Sequence, residues 1–179
     1  SFLGNFSGEL DGNGLTIREI SGAPLFDQLS GTVKNLKVTD VTVERWKSDQ
    51  GANALAKSLQ NAKISRLQLK NILLAGGDNT GALAGTAQNT TISEVWAEGL
   101  NINPYGPAFA GKTDLMVGGL IAQLNGGVHV NDSYAAGEIT VRSNTQGGVF
   151  GYNNDEMENT VKQVVSNMRT KSTSTQTDG

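Results

Sequence analysis

The sequence predicts an all-β fold, a right-handed parallel β-helix of about five irregular coils with an N-terminal cap, and three observations carry that reading. The apolar residues Val33, Leu36, Val38, Val41 and Val43 are spaced three, two, three, two. The same spacing returns at Ile64, Leu67, Leu69, Ile72, Leu74 and at Ile92, Val95, Ala97, Leu100, Ile102. A looser copy runs Val130, Ser133, Ala135, Ile139, Val141, and a last one begins Val161, Val164, Ser166. Upstream lies an apolar pair four apart, Leu25/Leu29, Leu55/Leu59, Leu83/Ala87 and Leu120/Leu124, of which the last copy keeps only Val149. Successive copies begin 31, 28, 38 and 31 residues apart, which is an internal repeat.

The arithmetic of the spacing decides between helix and strand. Residues two apart share one face of a strand, so Leu36 with Val38, and Val41 with Val43, point inward together. A step of three breaks that phase and lets the chain turn a corner with its inward face still inward, which a 3.6-residue helical period does not require. Each copy therefore reads as one coil of short strands around a corner or two, with β-branched residues prominent inside. One coil cannot bury its own apolar face, whereas stacked coils share a continuous core. Five coils at about 4.8 Å each give a rod roughly 24 Å long. Its hand follows fold precedent.

In chain order, residues 6–20 form a half-coil, strand, turn and strand, with the turn on Asp11-Gly12-Asn13-Gly14. Thr16-Ile17 reads as the counterpart of Thr32-Val33, and the half-coil caps an end that otherwise offers unpaired strand edges. Three coils follow from Leu25 to Ile102, with corners at Gly51, Gly76-Gly77 and Gly81. Residues 103–116 then interrupt the rhythm with two of the three prolines. Proline cannot join a central ladder, so this segment leaves the stack as a loop. The coil resumes over residues 117–141, and an acidic insert at 153–158 precedes the last copy. Residues 1–169 make one β-helix domain, and the polar residues 170–179 a flexible tail or linker.

Composition narrows the function. Net charge is −3 with acids and bases interspersed, so no basic stripe exists to bind nucleic acid. No apolar run approaches the roughly 20 residues of a membrane span, which argues against membrane insertion. The absence of cysteine removes disulfides and thiolate metal ligands from consideration. Ser1 opens the chain with neither an initiator methionine nor a signal peptide, so it reads as a fragment.

The chain resembles the glycine-rich GLUG-type repeats of bacterial surface proteins, and in particular the β-helical region of streptococcal immunoglobulin A protease-like zinc metalloproteases. The residues that carry the resemblance are Phe6, Gly8, Leu10-Asp11-Gly12-Asn13-Gly14, Thr16-Ile17, Leu25-Phe26 and Gly31-Thr32-Val33-Lys34-Asn35-Leu36. Gly118-Gly119-Leu120, Asp132-Ser133-Tyr134-Ala135-Ala136-Gly137 and Gly147-Gly148-Val149-Phe150-Gly151-Tyr152 complete it. The resemblance implies a secreted or cell-wall-attached parent whose zinc-dependent peptidase site lies outside this chain. It assigns no catalytic residue, metal ligand or cofactor to these residues. Partners so implied are a host protein substrate, an immunoglobulin or glycoprotein, or the parent's other domains.

Three functions are compatible with these features: a non-catalytic binding or spacer module that helps present a protein substrate, an adhesin-like module binding host glycan or protein, or a polysaccharide-active enzyme. Partner-binding candidates are Trp46, near a coil edge, and Tyr105, Phe109 and Lys112 on the proline loop. Rigid aromatics often anchor partners, although a loop folded back on the coil would bury them. Gly106 to Thr113 matches GxxxxGK[ST] formally, but neither a preceding free strand nor a helix opening at Lys112 accompanies it, so no nucleotide is expected. His129 alternates with Val128 and Val130 and should face outward. Asp49, Asp78 and Asp114 precede coil-opening glycines, where such aspartates bind calcium or bond their own main chain. Phe26, Phe150 and Tyr134 occupy repeat positions, as core or stacking residues, with Tyr134 at a corner.

Overall fold

The computed structural model describes residues 1–45, 50–104, 115–141, 146–154 and 157–172, and contains strands without helices among them. In chain order the strands are β1 (Glu9–Asp11), β2 (Thr16–Ser21), β3 (Phe26–Leu29), β4 (Thr32–Glu44), β5 (Ala56–Gln60), β6 (Lys63–Ala75) and β7 (Ala84–Gln88). They continue as β8 (Thr91–Ile102), β9 (Val117–Gly118), β10 (Ile121–Leu124), β11 (His129–Val141), β12 (Gln146–Gly147), β13 (Phe150–Asn153) and β14 (Thr160–Ser172). All pairings are parallel.

Each copy contributes one long and one short strand, and the copies stack in sequence order. The long strands form a sheet ordered β1-β4-β6-β8-β11-β14, with β2 also on β4, and the short ones a sheet ordered β13-β10-β7-β5-β3. A third, thinner ladder joins β12 to β9 and continues through single bridges from Val117 to Thr80 and from Gly81 to Asn53. The register places Leu36, Leu67 and Val95 in one column, and Val38, Leu69 and Ala97 in another. All six are buried. Leu29, Leu59, Ala87 and Leu124, from the upstream apolar pairs, form a facing column in the other sheet. One core therefore runs through the stack.

The corners differ from the expected breaks between short strands, because they lie inside strands of twelve or thirteen residues. At each step of three, one residue takes left-handed backbone: Asn35 (φ 53°), Arg66 (50°), Glu94 (53°), Asp132 (48°) and Gln163 (52°) at the first corner. Asp40 (57°), Asn71 (57°) and Gly99 (63°) do so at the second. The left-handed residue turns the chain and restores the inward phase, while the ladder resumes on both sides. The looser fourth copy has its extra residue at a register shift between Ala135 and Gly137. Gly137 faces Leu100, and a Cβ there would strike the Leu100 carbonyl oxygen, so glycine is sterically required.

The N-terminal half-coil is in a different register from the one expected. Leu10, rather than Ile17, pairs with Val33, and Ile17 pairs with Val38, so β1 and β2 together span one long strand. The Asp11-Gly12-Asn13-Gly14 turn stands where Asn35 makes its corner. Asp11 Oδ1 accepts from the Asn13 N–H at 2.9 Å and closes the turn.

Several polar groups inside the stack are paired, within a copy or across copies. Asn53 donates through Nδ2 to the carbonyls of Asn79 and Gly81, both at 3.1 Å. Thr80 Oγ1 donates to Gly77 O and accepts from the Ala52 N–H. Ser133, at an inward position, donates to Asn131 O and accepts from the Val95 N–H. At the last copy the pattern opens: Val161 is 47% exposed, and among the described residues β14 pairs with β11 alone. β14 also runs to Ser172, into the stretch expected to be a tail.

Candidate functional site

Two residues after each first-corner residue, a side chain points out of the long-strand sheet. The ladder aligns these positions as Lys37, Gln68, Trp96, Tyr134 and Val165. Trp96 is 50% exposed, and its ring stacks on Tyr134 with centroids 4.3 Å apart and planes 29° from parallel. Indole Nε1 donates to Glu98 Oε2 at 3.4 Å, and Lys70 Nζ lies 3.5 Å from the other Glu98 oxygen. The ring is thereby held at its face and at its edge.

On the side away from Tyr134 lies an open groove of about 450 Å³, lined by Asn35, Lys37, Arg66, Gln68, Glu94 and Trp96 among others. Its polar wall is set by contacts between copies. Arg66 Nε donates to Asn35 Oδ1 at 2.6 Å, and Asn35 Nδ2 donates to Asp11 Oδ1 at 3.0 Å. Asp11 is held below the usual carboxylate range, first by the Asn13 N–H and then by Asn35. Lys34 lies 2.9 Å from Glu9 and 3.8 Å from Asp11. The groove itself combines the Trp96 ring with the Asn35 and Gln68 amides, the Arg66 guanidinium, the Lys37 ammonium and the Glu94 carboxylate, while Glu9, Asp11 and Lys34 stand behind its wall.

Trp46, Tyr105, Phe109 and Lys112, the candidates singled out from the sequence, lie outside the described residues, as do Asp49, Asp114 and the whole GxxxxGK[ST] segment. The flanks of the proline segment are tied to the stack. Pro104 and Leu115 are buried, and the Met116 N–H donates to Asp78 Oδ1 at 2.9 Å. Asp78 Oδ1 also accepts from the Asn79 N–H, the main-chain role expected of a turn aspartate. His129 lies partly exposed on β11, with Nδ1 2.6 Å from Thr160 Oγ1. Among the described residues no three His, Asp or Glu side chains converge as metal ligands. No helix among them is long and apolar enough to cross a membrane. Phe26 is core, and Tyr134 stacks on the surface.

Trp96 was not among the sequence candidates, although a signal was present. It follows Ile92 by four residues, as Tyr134 follows Val130, so the two occupy the same outward position of consecutive copies.

Fold and groove together define an all-β repeat protein with parallel sheets and a pre-set aromatic platform on its surface. Over 158 residues the chain is 35% identical to an immunoglobulin A1 protease of Streptococcus sanguinis, covering 84% of this chain and 8% of that protein. It is 32% identical over 154 residues to an immunoglobulin A1 protease of Streptococcus pneumoniae, covering 84% of this chain and 7% of that protein. The chain therefore resembles one short region of streptococcal immunoglobulin A1 proteases. No family model matches it, and no solved structure does.

Proposed function

We propose that residues 1–169 form a right-handed parallel β-helix that serves as a non-catalytic binding and spacer module of a secreted, cell-surface zinc metalloprotease, helping to present a protein substrate. The observation that supports this most is the distribution of the similarity. It covers most of the repeat stack here and less than a tenth of each protease, so the shared region is small beside the parent. The β-helix reading rests on three parallel ladders in sequence order, joined through one-residue corners. A rigid stack of this kind holds the parent's segments on either side of it at a fixed separation. The substrate is a host immunoglobulin or glycoprotein, contacted by Trp46, Tyr105, Phe109 and Lys112. Zinc acts in the parent's catalytic domain.

The test is deletion of this region from a full-length parent, with cleavage measured on an intact immunoglobulin and on a short peptide spanning the scissile bond. A presenting module raises KM for the intact protein and leaves peptide turnover unchanged. Alanine at Tyr105, Phe109 and Lys112 together reproduces part of that rise. Equal loss on both substrates, or no loss on either, refutes the reading.

A further inference from the structure

We propose that the groove beside Trp96 is a saccharide site, in which one pyranose ring stacks on the free face of the indole. Tyr134 stacks on one face of Trp96, and Trp96 lines a groove whose other walls come from the preceding copies, on the side of Gln68 rather than of Tyr134. The weakly positive C–H groups on one face of a sugar ring meet the electron-rich face of an indole favourably. An exposed tryptophan suits this role only when its orientation is fixed in advance, and here Tyr134 and Glu98 fix it.

The polar wall selects among flat ligands. Lys37 and Arg66 attract an anion and Glu94 attracts a cation, so the wall is of mixed sign and its common property is closely spaced hydrogen-bond donors beside an acceptor. Hydroxyl groups both donate and accept, and they can use the Arg66 guanidinium, the Asn35 and Gln68 amides and the Glu94 carboxylate together. At about 450 Å³ the groove is also within the ordinary range for small-molecule sites. Neutral, hydroxyl-rich sugars fit these conditions better than a peptide side chain, which brings few hydrogen-bonding groups beside its flat face. This site does not depend on the protease reading, since both the platform and the wall belong to this chain.

The experiment is an NMR titration of the 15N-labelled 179-residue chain, following the Trp96 indole N–H resonance, assigned by its loss in Trp96→Phe. The probes are galactose, N-acetylgalactosamine, glucose, N-acetylglucosamine and an unglycosylated peptide containing proline and tyrosine. At least one sugar should shift the resonance saturably, with a dissociation constant on the order of millimolar. Followed through the groove's backbone amides, Trp96→Ala should weaken that binding about tenfold or more, while Trp96→Phe retains most of it. Arg66→Met should weaken it too. Thermal melts of the three variants should stay within about 5 °C of the unsubstituted chain, because both side chains lie outside the core and lose only surface contacts. No shift with any sugar, a shift unaffected by Trp96→Ala, or binding of the peptide alone overturns the proposal.

Discussion

Leu67 lies in the middle of the stack, fully buried, with Leu36 against it on one side and Val95 on the other. Replacing it by alanine removes three carbons from the core, worth about 2.4 kcal/mol at roughly 0.8 kcal/mol per buried carbon. A cavity term adds to this wherever the lining cannot close in. Here the ladders hold the flanking strands on both sides, so Leu67→Ala should cost about 3–5 kcal/mol. Val161→Ala removes two carbons from a half-exposed site in β14 and should cost less than about 1 kcal/mol. Urea unfolding monitored by far-ultraviolet circular dichroism gives both values under one set of conditions. Equal losses for the two variants, or a loss below about 1 kcal/mol for Leu67→Ala, would refute a continuous core that is filled at Leu67 and only partly covered at Val161.

Two further outcomes test the corners and the charges. Glu19 makes the corner of β2 between Ile17 and Ile20, level with Asp40, and has φ 60° without glycine's freedom, so Glu19→Gly should raise stability by up to about 1 kcal/mol in the same assay, and a loss would mean its side chain holds the corner. Asp27 is drawn down to about 2, first by Lys57 and then by Ser1, from an ordinary value of 3.8. A lowered carboxylate contributes stability that is fully present above 3.8 and fades as pH falls toward 2. The pair is about half exposed, so the contribution is below about 1 kcal/mol, and Asp27→Asn should lose that amount at pH 7, lose little near pH 2, and so flatten the stability profile across the window.

The core was legible because burial leaves few choices. Inward positions in the central copies accept aliphatic residues almost exclusively, so Val33, Ile64 and Ile92 announce their shared column. Corner chemistry was harder to read, since a left-handed residue held on both sides by ladders need not be glycine. Asn35, Arg66, Glu94, Asp132 and Gln163 perform one geometric task with five side chains. The N-terminal register failed for a related reason. Two extra residues in the Asp11 to Gly14 turn shift Ile17 to the second inward position, and a threonine followed by an aliphatic residue occurs at both Thr16 and Thr32. Trp96 is hard to single out because outward positions carry no compositional constraint, and only its alignment with Tyr134 marks it.

The same tolerance has an evolutionary consequence. Because the first-corner column accepts acid, base or amide without changing its backbone, exchange of one residue rewrites the surface at intervals of about 4.8 Å while the interior stays untouched. Substitution at Arg66 or Glu94 therefore changes what the groove recognises at little cost to folding. A lineage under pressure to alter its contacts has in this strip a place to vary, and duplication of a whole copy lengthens it by one more character.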